Sequence, residues 1–195
     1  MSGSVGDNTA RASGVIASAG GGGAWTKISH QTASNDTEID FTSFSADYQD
    51  FKLVGSGVRA NTNAVNIFLR LSQAGSFITT NTYRFGSFGL DSDNNIKQHQ
   101  GNPLSYIGIS TPSGYISSAN AEGGGFETTI YNVHHTVLYK NIITTFVNYT
   151  NNNRAAPSFS GAIFCDQAAV DGIRVFMSTG NISIGEFTLY GRKIT

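Results

Sequence analysis

The sequence predicts an all-β fold, an antiparallel sandwich or barrel of about ten short strands, preceded by an N-terminal arm. Three observations carry that expectation. Apolar residues recur at every second position through many short segments, the period of a pleated strand. Pieces rich in Asn, Ser and Gly separate these segments, and such residues accept the backbone angles and local hydrogen bonds that turns require. The composition agrees: 13 Phe, 8 Tyr and 23 Gly stand against only 13% charged residues, a mixture that suits strands and tight turns. No long amphipathic helical pattern alternates with the strands, so a parallel α/β sheet is not expected. A chain of 195 residues suits one domain, or one domain with a short appendage.

Residues 1–24 come first and differ from the rest. They hold no aromatic residue, and only Asp7 and Arg11 are charged. Gly20–Gly23 end the segment, and Gly-rich stretches act as flexible links. Residues 1–23 therefore read as an arm and linker with no core of their own. The arm is either a tail or an attachment segment that orders against a partner. Residues 24–195 read as the sandwich domain.

Trp25, in "AWTKIS", opens the β texture. In "TEIDFTSF", Ile39 and Phe41 alternate with Glu38 and Asp40, as in a strand with one wet face. "FKLVGSGVRA" sets Phe51 and Leu53 on one face. "AVNIFLRLSQ" sets Ile67, Leu69 and Leu71 against Asn66, Phe68 and Arg70. "TYRFGSFGL" is rich in aromatics, and its glycines suggest a bulge or close packing. "YIGIS", "GFETTIYNV", "VLYKNIITTFVNY" and "FSGAIFCD" follow. In "GIRVFMS", Ile173, Val175 and Met177 share a face opposite Arg174 and Phe176, and "EFTLYGRK" closes the chain. "RANTNA", "DSDNN", "NAEGGG", "NYTNNNR" and "STGN" read as the turns between them.

The net charge of -1 and the scattered basic residues argue against nucleic acid, whose binders cluster Lys and Arg. No apolar run approaches the ~20 residues of a membrane-spanning helix, and the N-terminus lacks the pattern of a signal peptide. No cofactor is implied: there is no GxGxxG or GxxxxGK[ST] phosphate loop and no GxSxG elbow. The single Cys165 reads as a small buried hydrophobe. His134 and His135 are adjacent, so on a strand they would face opposite sides and could not readily share a metal. "DSDNNIKQHQGN" begins like a calcium loop at Asp91, but Ile96 and Asn102 stand where that loop needs Gly and Glu. The sequons at Asn35, Asn148 and Asn181 read as chance in a chain this rich in Asn and Thr. Tyr83, Phe85, Phe88, Tyr106 and Tyr115 are candidates for stacking on sugar rings. The core is the favoured place for most of them, because aromatics dominate sandwich interiors.

The order of segments resembles a loose group of small β-rich structural proteins of tailed bacteriophages. The resemblance runs from "GGGGAWTKISHQTASNDTEIDFTSFSADYQDFKLVGSGVRA" through "VNIFLRLS" and "FETTIYNV" to "VDGIRVFMSTGNISIGEFTLYGRK". It covers about residues 24–193, with Thr179 where the group commonly has Ser, and its motifs mark a fold more than an activity. It implies a jelly-roll-like antiparallel sandwich that serves, without enzymatic activity, as a tail-fibre, appendage or head-decoration subunit of a virion. It also implies a homotrimer, held to other virion proteins through the arm, with Arg11, Val15 and Ile16 as its contact residues. The alternative is a receptor- or glycan-binding module at a fibre tip, with Tyr83, Tyr106 and Tyr115 as contacts for a host surface glycan. A polysaccharide-cleaving enzyme is a third reading; it would need two acids facing each other across a groove.

Overall fold

A computed structural model of the chain describes residues 23–110, 115–119, 122–150 and 154–193. It contains thirteen strands: β1 (Trp25–Asp36), β2 (Glu38–Thr42), β3 (Asp50–Ala60), β4 (Ile67–Gln73), β5 (Ser76–Phe77), β6 (Tyr83–Leu90), β7 (Ile96–Leu104), β8 (Ile107–Gly108), β9 (Gly124–Ile130), β10 (Lys140–Asn148), β11 (Ser158–Phe164), β12 (Gly172–Met177) and β13 (Ile182–Arg192). Every strand pairing is antiparallel.

The larger sheet has the order β1-β13-β3-β9-β10-β11-β6-β7, and the smaller has β2-β12-β4-β5, with β8 also pairing β4. Eight of these strands form a jelly roll. Taken in chain order, β1, β2, β3, β4, β8, β9, β12 and β13 fall into two four-stranded sheets, β1-β13-β3-β9 and β2-β12-β4-β8. That is the double-sheet arrangement in which two Greek keys close over one core. The other strands are insertions: β5, β6 and β7 between β4 and β8, and β10 and β11 between β9 and β12. Four of them extend the larger sheet beyond β9 as a platform, β10-β11-β6-β7.

The alternation read from the sequence sets the core. Ile39 and Phe41, Phe51 and Leu53, Ile67, Leu69 and Leu71, and Ile173, Val175 and Met177 all lie buried between the sheets. Each large apolar side chain so buried stabilises the fold by roughly 1.5–3 kcal/mol. Gly55 leaves room for the Phe126 ring, which packs where a Cβ would stand. Trp25 is the register partner of Arg192, and its ring carries Lys52 at 4.8 Å and Arg192 at 5.3 Å from its centroid. Arm residues Arg11, Val15 and Ile16 lie outside the described residues.

Two stretches differ from the sequence expectation. Ile96–Leu104, to which the sequence pattern assigned no strand, is strand β7 at the edge of the larger sheet. "YIGIS" contributes only the two residues of β8.

Candidate functional surface

Strand parity sorts the aromatic candidates. Tyr83 points inward and is fully buried. Its hydroxyl accepts from Leu71 N at 2.9 Å and lies 3.3 Å from the carbonyls of Leu71 and Ile78. Burial pushes this phenol well above its usual pKa. Tyr83 is therefore a core residue with a satisfied hydroxyl, and its assignment as a glycan contact is corrected. Phe85 is buried on the same face. Tyr106 is half-buried and stacks on Phe68 with centroids 4.0 Å apart. Tyr115 is half-buried, and its carbonyl accepts from Asn148 Nδ2 at 2.8 Å. No ring contact joins the three tyrosines among the described residues.

The other side chains with chemical potential are tied into the fold. Asp91 organises the β6–β7 turn: its carboxylate accepts from the backbone N–H groups of Asp93 and Asn95 at 3.1 and 3.0 Å, and from Arg154 at 3.2 Å. The backbone hydrogen bond from Asn95 leads the causes that lower its pKa. His134 Nε2 lies 3.1 Å from the carbonyl of Ser45. His135 Nδ1 accepts from the N–H groups of Val137 and Leu138 at 3.1 and 3.0 Å, so the pair organises loops rather than one site. Lys140 is buried, and its ammonium donates to the carbonyls of His135, Leu138 and Gln167 at 2.6, 3.2 and 2.9 Å. Among the described residues, no group of three or more His, Cys, Asp or Glu is placed to hold a metal ion.

The surface that stands apart is the outer face of the platform. Along β10, Ile142, Thr144 and Phe146 point inward, while Ile143, Thr145 and Val147 point out and are exposed. Phe159 and Ile163 of β11 and Phe88 and Leu90 of β6 continue this outward row, and Ile96 begins it on β7. Phe88 is 60% exposed and Ile96 71%. The Phe88 and Phe159 rings lie 5.9 Å apart at 49°. With Leu90, Val147 and Pro157 they line an open groove of about 650 Å³. A second depression lies alongside, lined by Arg84, Gln100, Ile143 and Ile163. Its floor is Gly86 and Gly161, register partners with nothing within 4 Å of where a Cβ would stand. Beyond β9 the same sheet face turns polar, with Lys52 paired to Glu127 at 2.6 Å and His30 to Glu186 at 2.7 Å.

The inferred aromatic list held one member of this surface, Phe88, among four that lie elsewhere. The pattern that marks the surface is "NIITTFVNY" and "FSGAIF", which are apolar at both parities and so read as strands covered on both faces. The class defined is a jelly-roll β-sandwich whose larger sheet is extended by an apolar platform. Comparison with protein-family models, with curated proteins and with solved structures finds no match to this chain.

Proposed function

We propose that the chain is a non-enzymatic structural subunit of a bacteriophage virion, a tail-fibre or appendage component or a head-decoration protein, anchored through residues 1–23. The observation that carries this reading is the platform: a jelly roll extended by four strands whose outer face is apolar and not covered by any described residue. A continuous apolar face of this kind is what a protein uses to hold a neighbour. The low charge of the chain suits close packing of subunits in a particle, and the resemblance to phage structural proteins points the same way. Deleting residues 1–23 is expected to leave a folded domain that no longer joins the particle, read by mass spectrometry of purified virions. Normal incorporation of the truncated chain would refute the anchor.

A second reading, a receptor- or glycan-binding module, is favoured by the exposed Phe88–Phe159 pair, in register with Gln98 and Thr145. Rings flanked by amides and hydroxyls can stack on a sugar and hydrogen-bond its rim. Glycan-array binding that is lost in Phe88→Ala would support it.

A further inference from the structure

We propose that the outer face of the platform is a self-association surface, on which a second copy of this chain packs face to face about a two-fold axis. The inference stands independently of the virion reading.

The strands themselves call for a second cover. β10 and β11 are apolar on both faces, yet the described residues cover only the inner face. Four strands at ~4.8 Å spacing and about eight residues of length give an outer footprint on the order of 400–500 Å². That reaches the upper range of the apolar patches monomers leave exposed. With the surrounding polar rim it approaches the ~800 Å² per partner of a specific interface.

Charge selects the occupant and its orientation. Among the described residues of β10, β11, β6 and β7, the apolar face carries one cation at one corner, Arg84, whose guanidinium makes no ion pair or hydrogen bond with any described residue. At the opposite corner stands Glu127, exposed, with Oε1 on Lys52 and its other oxygen available. Arg84 is in register with Ile163 and Asn141, whereas Glu127 is in register with Thr145, Phe159 and Phe88. The two charges are thus three strands and four residues apart, about 14 Å in each direction. The midpoint falls between Ile143 and Gly161, themselves register partners.

A two-fold axis lying in the interface, perpendicular to that diagonal, sets Arg84 of each copy against Glu127 of the other. Such an isologous contact makes each pairing twice. It also places the Gly86–Gly161 trough at the centre, where the missing side chains admit Ile143 of the second copy. A patch with one unpaired cation and one anion placed symmetrically about its apolar centre is complementary to itself.

The test is the mass of the full chain by sedimentation equilibrium over a wide concentration range. Two copies are expected. Arg84→Glu, at an exposed position with no partner among the described residues, is expected to give a single copy with an unchanged thermal melt. Arg84→Glu combined with Glu127→Arg is expected to restore two copies, which a merely structural role for either residue would not produce. Phe88→Lys is expected to abolish pairing in every background. A wild-type single copy at all concentrations, three copies, or two copies that persist in Phe88→Lys would overturn the proposal. So would a single copy that binds a glycan through Phe88, since the face would then belong to sugar. A double variant that stays single overturns the two-fold arrangement. Failure of any of these leaves the virion reading to be decided separately by particle incorporation.

Discussion

Tyr83 shows how one residue can be read correctly by type and wrongly by place. Its ring sits in the core because parity along β6 turns it inward, and its hydroxyl is then obliged to find backbone partners at Leu71 and Ile78. Tyr83→Phe leaves the Leu71 N–H without its acceptor, and a buried orphan of that kind costs about 1–3 kcal/mol. Denaturant unfolding should show that loss with an unchanged m-value. Lys140 is tied into the fold in a comparable way, through a charged group. Its ammonium gathers three carbonyls and so fixes the loop that displays Val137, Leu138 and Tyr139. Lys140→Met keeps the apolar stem but strands those carbonyls. A destabilisation of about 2 kcal/mol is expected, together with faster hydrogen exchange through residues 135–139.

Among the elements, the β6–β7 hairpin depends on Asp91. Hydrogen bonds lower the pKa of this carboxyl from 3.8, so the folded chain binds fewer protons there than the unfolded chain. Its contribution is fully present above pH 3.8 and fades as the pH falls through the lower folded value. Wild type should therefore lose melting temperature on acidification around and below that pH. Asp91→Asn should start lower and show a flatter acid limb. The hairpin also marks the limit of what the sequence discloses. Strands with one wet face, such as Ile39–Phe41 or Ile173–Met177, are legible because burial on one side imposes alternation. β7 is not legible, because an edge strand with Lys97, Gln98, His99 and Gln100 has little apolar surface to alternate. Its existence is decided by the ladder that β6 offers. The platform escapes for a different reason: its strands come from residues 83–104 and 140–164, and only topology makes them neighbours.

At the scale of the whole molecule, the two outer faces contrast. The smaller sheet closes its own surface. Arg174 binds Asp40 at 2.8 and 2.7 Å and Glu38 at 2.7 Å, bonds that raise its pKa with Asp40 leading, and it lies over the Phe77 ring at 4.1 Å. Half of the larger sheet's outer surface is left open by the described residues, and with a net charge of -1 little long-range repulsion keeps copies apart. The pairing of Trp25 with Arg192 has its own result. The described chain leaves and returns at a single corner, so its path is nearly a closed ring. The order in which the strands are synthesised is then separable from the fold they make. A permuted chain of the described domain, residues 23 and 193 joined by a short Gly-Ser bridge and new ends cut between the exposed residues Thr79 and Asn81, would keep every ladder. It should melt cooperatively within a few degrees of the parent, with β6 as its first strand and β5 as its last.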